Sequence, residues 1–168
     1  MADRQRAVRY DKSGKPFDVG AGCPEDLSLL LEMYDCYSPR PASQGLPPAD
    51  PALCSAWARR IFDGSLNFLA WRGEQIIGHA ALLPEPAKAS CEFVIFVDQN
   101  NRGLGVGSEL TALAISESTK ARVSSIWLTV DATNHVAIRL YRKFGFTFTE
   151  TGEYEHVMVL KTAPPGPL

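Results

Sequence analysis

Residues 91–108 restrict the fold more than any other stretch of this chain. Cys91-Glu-Phe-Val-Ile-Phe-Val97 is apolar, β-branched and aromatic, so it reads as a strand buried on both faces and therefore central in a sheet. Five residues later Arg102-Gly-Leu-Gly-Val-Gly-Ser108 opens a helical pattern that runs to about Lys120. A helix start leaves its first amides unpaired and carries partial positive charge. Glycines let those amides approach an anion closely and adopt angles closed to other residues. Arg102 adds a full charge, so a pyrophosphate is the natural occupant. The alternative is a glycine-rich connection with no ligand.

Two phosphate-binding patterns fail here. A P-loop closes on Gly-Lys-Ser/Thr, whereas Gly107 is followed directly by Ser108, which also removes the lysine that nucleotide-dependent phosphoryl transfer needs. The dinucleotide fingerprint needs a glycine at its sixth place. Ser108 or Leu110 stands there, depending on the starting glycine, and Gly20-Ala-Gly22 meets Glu25 instead.

The remaining segments alternate between the two periods. The basic start, with Arg4, Arg6, Arg9, Lys12 and Lys15, reads as a solvated edge strand with a hairpin near Ser13-Gly14-Lys15, or as a docking patch for an acidic partner. Pro24-Glu25-Asp26 opens a helix that carries Leu27, Leu30, Leu31 and Tyr34 at helical spacing. A proline loop spans Ser38 to Pro48. A second helix follows from about Pro51 to Phe62, with Leu53, Trp57 and Ile61 on one face, and Gly64 ends it. Leu66–Trp71 and Gln75–Leu83 form a hairpin around Arg72-Gly73-Glu74. After the helix to Lys120 come a strand at Ile126–Val130, a helix from Asn134 to Gly145, and strands at Phe146–Thr149 and Glu155–Leu160. The order predicts an α/β or α+β class, with a mixed sheet of about six to seven strands flanked by about four helices. Residues 1–162 read as one domain and 163–168, rich in proline, as a flexible tail.

Composition closes other routes. The 168 residues carry a formal net charge of -2, against the strongly basic balance of nucleic-acid binders. No apolar run spans a bilayer and the N-terminus lacks a secretory pattern, so the expectation is a soluble, cytoplasmic protein without nucleic-acid or membrane partners. Cys23, Cys36, Cys54 and Cys91 follow no metal spacing, so no metal is expected and the cysteines read as structural thiols, with a nucleophilic Cys91 as the alternative. His79, His135 and His156 read as structural, with His79 a candidate for the acceptor pocket. Trp57, Trp71 and Trp127 read as packing residues.

Two runs carry a resemblance to a known family. Val97-Asp-Gln-Asn-Asn-Arg-Gly-Leu-Gly-Val-Gly107 resembles motif A of the GNAT acetyltransferases, Arg/Gln-x-x-Gly-x-Gly/Ala. Asn134-His-Val-Ala-Ile-Arg-Leu-Tyr-Arg-Lys-Phe-Gly-Phe146 resembles motif B, Asn-x-x-Ala-x-x-Leu-Tyr followed by Gly-Phe. The matched core covers roughly residues 66 to 150, and the Glu92-Phe-Val strand before Val97 is further similar to GNAT domains of bacterial and archaeal protein acetyltransferases. The resemblance implies the GNAT fold, acetyl-CoA as co-substrate, and acetyl transfer to a primary amine by direct attack in a ternary complex. The acceptor is a small molecule or a protein lysine or N-terminus. A non-catalytic acyl-CoA sensor is the alternative, and a homodimer stays open.

The resemblance also implies a site. The backbone of Ile95, Phe96 and Val97 would meet the thioester carbonyl and pantetheine arm, beside two parallel strands splayed by a bulge in the third strand. Arg102, Gly103, Leu104, Gly105, Val106, Gly107 and Ser108 would hold the pyrophosphate. Asn134 and Ala137 would contact the cofactor, and Arg139, Arg142 and Lys143 the outer phosphates. Three chemical tasks then need side chains: the amine must lose a proton, the carbonyl must be polarised, and the thiolate must be protonated as it leaves. Tyr141, two helical turns after Asn134 and implied to share its face, is the candidate acid. Glu92, a carboxylate in an apolar strand, is the candidate base, directly or through a water.

Overall fold

The computed structural model describes residues 5–39, 46–86 and 88–162. The proline loop's residues 40–45 and the tail 163–168 lie outside these. The chain opens with a hairpin, β1 (Ala7–Tyr10) against β2 (Pro16–Ala21). Asp11 organises its turn: Oδ1 accepts from Ser13 N, Ser13 Oγ and Lys15 N at 2.8, 2.6 and 3.0 Å, and Oδ2 accepts from Arg72 Nη2 at 2.8 Å. Then follow α1 (Leu27–Asp35), α2 (Pro51–Gly64), β3 (Leu66–Arg72), β4 (Gln75–Pro84), β5 (Ser90–Val97), α3 (Val106–Lys120), β6 (Ser125–Asp131), α4 (His135–Lys143), β7 (Thr147–Thr151) and β8 (Glu155–Lys161).

The eight strands form one mixed sheet in the order β1-β2-β3-β4-β5-β6-β8-β7. The expected count of six to seven falls short because both arms of the N-terminal hairpin join the sheet, β2 pairing with β3 through Asp18↔Trp71 to Ala21↔Phe68. All neighbours are antiparallel except β5 and β6.

Helices cover both faces. On one, Leu30, Met33 and Tyr34 of α1 and Cys54, Trp57, Ala58 and Ile61 of α2 bury against β3 and β4. Leu53, expected on that stripe, is 63% exposed. Trp57 and Ile61 are buried as expected, but Cys54 and Ala58 complete the stripe, so Leu53 turns to solvent while its N–H is capped by Asp50 Oδ1 at 2.9 Å. On the other face Val106, Leu110 and Ala114 of α3 and Ile138 and Tyr141 of α4 pack over β4, β5 and β6. Gly78 makes this approach possible: a Cβ there would lie 2.8 Å from Leu110 Cδ1 and 3.2 Å from Val106 Cγ1.

One polar chain crosses the α1 side of the core. Asn67 Nδ2 donates to the carbonyls of Ile61 and Ser65 at 3.2 and 3.0 Å, so its Oδ1 is the atom facing His79 Nε2 at 2.9 Å. Nε2 must then carry the proton, and Nδ1 accepts from the Tyr34 hydroxyl at 2.6 Å. His79 is fully buried within this chain and is structural. Burial without a negative partner depresses its pKa from 6.5 to about 3.

Candidate active site

The site begins where the sheet comes apart. β5 and β6 pair only at Ser90↔Ser125, Cys91↔Ile126 and Glu92↔Trp127, although β5 continues to Val97 and β6 to Asp131. Past Glu92 the two strands diverge. The bulge expected in the third strand is absent: β5 keeps unbroken register with β4 from Gly78↔Val97 to Pro84↔Cys91. The irregularity lies one ladder away, between β3 and β4, where Ala70 faces Gly78 but Trp71 faces Ile76. The strands part while the β4–β5 and β6–β8 ladders on either side both stay in register.

A cleft of about 690 Å³ fills the gap. Side chains on β5 alternate across it. Val94 and Phe96 pack with the α1–α2 core, which places Glu92, two residues earlier, on that face. Phe93, Ile95 and Val97 pack with the α3–α4 core. Because β5 and β6 have parted, groups from both faces line one space, among them Glu92 from the first and Tyr141 from the second. The backbone groups of Phe93–Val97 that point away from β4 have no strand partner on that side.

At one end of the cleft lies the glycine turn. The helix begins at Val106, with Gly105 as its N-cap at φ 100°, and Gly103 has φ 72°. A Cβ at either glycine would meet nothing within 4 Å, so it is the left-handed backbone and not crowding that requires glycine here. The first intrahelical bond runs from Glu109 N to Gly105 O, so the amides of Val106, Gly107 and Ser108 precede the ladder. Glu109, an acidic residue in that first turn, is paired with Arg9 Nε at 2.7 Å. Arg102 donates from Nε to Val97 O at 3.0 Å and lays its guanidinium 5.0 Å from the Tyr37 ring centre.

At the other end stand the titratable groups. Asn134 caps α4, its side-chain oxygen accepting from Ala137 N at 3.1 Å, which leaves its Nδ2 for the cleft. Tyr141, two turns on, is 7% exposed and packed edge-to-face on Phe93 with centroids 6.4 Å apart. Its hydroxyl takes no hydrogen bond from the described residues. Burial pushes its pKa up, so the phenol keeps its proton. Glu92 is half-buried, and burial, then the charge of Glu85, raises its carboxyl above the usual range.

The cleft thus gathers Glu92, Ile95, Phe96, Val97, Arg102 and Gly103 with Gly107, Asn134, Ala137 and Tyr141. Leu104, Gly105, Val106 and Ser108 belong to the turn but do not line the cleft. Leu104 instead gives its carbonyl to Lys12 N at 3.0 Å, and Val106 is fully buried beneath the turn. Lys143, Arg142 and Arg139 are exposed and do not line the cleft: Lys143 sits 5.6 Å over Phe144 and Arg142 4.9 Å over Phe148. The sequence reading missed Tyr37, Thr129 and Glu155, which also line the cleft. Tyr37 lies two residues past the end of α1, three after Tyr34. Thr129 and Glu155 enter only through the strand order. Among the described residues no cluster of histidine, cysteine, aspartate or glutamate could hold a metal, and no helix is long and apolar enough to cross a membrane.

The family model "Acetyltransferase (GNAT) family" matches residues 29–146. Mycothiol acetyltransferase of Streptomyces scabiei is 32% identical over 128 residues, covering 76% of this chain and 41% of its own length. That of Thermomonospora curvata is 34% identical over 86 residues, covering 51% of this chain and 29% of its own. The chain spans at most about half the length of such relatives, 51% in the enzyme of Mycolicibacterium vanbaalenii. Among solved structures, the GNAT domain of S. lividans PAT superposes with a TM-score of 0.78 at 17% identity, covering 93% of this chain and 96% of that one. YncA from Salmonella typhimurium, solved with its cofactor acetyl-CoA, gives 0.69 at 17% identity over 90% and 97%. At these identities the superpositions establish the shared fold. The family match covers well over half the sequence, and this chain belongs to the GNAT acetyltransferase family.

Proposed function

We propose that the chain is an acetyl-CoA-dependent N-acetyltransferase that acts on a primary amine by direct attack in a ternary complex. One observation carries this reading. A single cleft runs from Gly103 and Gly107 of the glycine turn, along the unpaired edge of β5, to Glu92 and Tyr141.

The fit to the cofactor is chemical. Gly103 through Ser108 present amides at a helix start, and the terminal nitrogens of Arg102 bond to none of the described residues while Nε is bound to Val97 O. These groups suit a pyrophosphate. The backbone of Ile95–Val97 would pair with the pantetheine arm as a missing strand would, and Asn134 Nδ2 can donate to it. Bound there, acetyl-CoA supplies an activated thioester carbonyl.

The chain's own residues would do the rest. An amine arrives as an ammonium with no lone pair. Glu92, whose carboxyl is raised by burial and by the charge of Glu85 and so is a better base than an ordinary carboxylate, takes that proton directly or through a water. Unpaired β5 amides polarise the carbonyl. Tyr141, held protonated by burial, donates from its hydroxyl to the departing sulfur.

The acceptor is a small-molecule amine or a protein lysine or N-terminus. The relatives named mycothiol acetyltransferase put a mycothiol-related amine first in the panel, and the cytoplasm is the matching compartment. The test is calorimetric titration with coenzyme A, followed by free-thiol release from acetyl-CoA across the panel. Binding with acceptor-dependent release supports the reading. Binding without release from any amine favours an acyl-CoA sensor, and no binding refutes both.

A further inference from the structure

The cofactor turn and the acceptor wall are joined by a clasp. Gln99 lies in a 3-10 turn (Gln99–Asn101), three residues before Arg102. The turn is braced by Asp98, whose Oδ2 accepts from Asn100 N at 3.1 Å and Asn101 Nδ2 at 2.8 Å. From this base the Gln99 amide reaches the segment leaving α1. Oε1 accepts from Ser38 N at 3.0 Å and Nε2 donates to Cys36 O at 2.8 Å. A primary amide carries one acceptor and one donor in a plane, so it takes up both backbone groups of a chain passing edge-on.

The residue between those two bonds is Tyr37, which lines the cleft. Its ring sits 5.9 Å from Phe96, edge-on, and 5.0 Å from the Arg102 guanidinium. A guanidinium stacked on a ring keeps its N–H edge free for anions in its own plane. Arg102 can therefore hold a phosphate and Tyr37 at once. Fixing the guanidinium fixes the ring, and Gln99 fixes the backbone on either side of it.

We propose that Gln99 is a positioning residue that clasps the α1 exit onto the cofactor turn, so that coenzyme binding beside Arg102 sets the place of Tyr37 in the acceptor wall. This rests on the acetyl-CoA reading above. If it holds, coenzyme A and the acceptor favour each other's binding reciprocally.

The Ser38 amide reports directly on the clasp. Amide exchange is followed by NMR on the full chain with and without coenzyme A. Coenzyme A is expected to slow exchange at residues 103–108 and, by about fivefold or more, at Ser38, whose existing bond to Gln99 it would hold closed for longer. Gln99→Ala should erase the slowing at Ser38 and keep it at 103–108. Gln99→Glu keeps an oxygen for Ser38 N–H but sets a carboxylate against Cys36 O, and should restore part of it. Slowing at 103–108 with none at Ser38, or equal slowing at Ser38 in Gln99→Ala, overturns the clasp alone. No slowing at either place overturns the acetyl-CoA reading and the clasp with it.

Discussion

Glu92 lies opposite Trp127 on the last rung of the parallel β5–β6 ladder, and beyond that rung the strands separate. The candidate base thus stands at the apex of the cleft, where paired sheet gives way to open space. Side chains behind it are locked by ladders on both edges of β5. Those ahead of it, from Phe93 to Val97, keep β4 on one side and the cleft on the other. A carboxylate at this apex is held by rigid backbone yet reaches the gap.

Glu92→Gln tests this directly. Gln keeps the shape and removes the base, so kcat/KM should fall by about 10²- to 10⁴-fold, the usual worth of general-base catalysis. Acetyl-CoA affinity should stay within about twofold, because Glu92 is remote from the turn. The sign with pH follows from the raised pKa. Glu92 works ionised, so the wild-type rate falls as pH drops through a value above 4.5. The variant should lack that acid limb. An acid limb identical in both proteins would remove Glu92 from the role.

Tyr141→Phe separates chemistry from packing. The ring contacts with Phe93 and Phe146, at 6.4 and 5.8 Å, survive the change and only the hydroxyl is lost. Steady-state kinetics should show kcat reduced by about 10²-fold with the acetyl-CoA KM nearly unchanged. Thermal midpoints should match within about 2 °C, since no hydrogen bond from the described residues is broken. A variant with full kcat would make Tyr141 a core aromatic and nothing more.

Much of this site could be read in advance, for identifiable reasons. The turn at Arg102–Ser108 is local: strand, glycines and helix follow one another within the chain. Asn134 and Tyr141 are seven apart on one helix, and periodicity alone places them together. What stayed hidden depends on pairing between distant segments. The parting of β5 from β6 is a contact that stops forming between residues 35 apart, and no local signal marks where a ladder ends. Gln99 meets Cys36 and Ser38 across more than sixty residues. His79 looked like an acceptor-pocket candidate because its partners, Tyr34 and Asn67, are 45 and 12 residues away. Leu53 was misplaced for the opposite reason: Leu53 and Cys54 are adjacent apolar residues at the edge of one stripe, and only the sheet beneath selects which of them is buried.

Gly105→Ala tests the cofactor turn through its backbone. At φ 100° an L-residue is strained, so the N-cap must shift or the chain must bear about 1–2 kcal/mol. Space is not the obstacle, since a Cβ there meets nothing within 4 Å. Calorimetry should show coenzyme A bound at least about tenfold more weakly, each 1.4 kcal/mol being a factor of ten. Gly64→Ala, a glycine with no positive φ and no neighbour within 4 Å of a new Cβ, is the control and should leave affinity unchanged. Equal losses in both would deny the turn its special geometry.

His79 makes the fold sensitive to acid in a range where carboxylates are still ionised. Its pKa is about 3 when folded, against 6.5 for the free side chain. Above pH 6.5 neither state binds a proton there, and the residue contributes no slope. Below it the unfolded chain takes up a proton that the folded chain refuses, so stability falls steadily as pH drops toward 3. At 1.36 kcal/mol per unit the loss between pH 6.5 and pH 5 is about 2 kcal/mol. Urea unfolding at the two pH values should show that loss in the wild type. His79→Gln, which can still donate to Asn67 Oδ1 but does not titrate, should be less stable at pH 7 and flatter with pH. Equal slopes in the two proteins would mean that the imidazole is protonated inside the fold, and the Tyr34–His79–Asn67 chain would then have its donors and acceptors wrongly assigned.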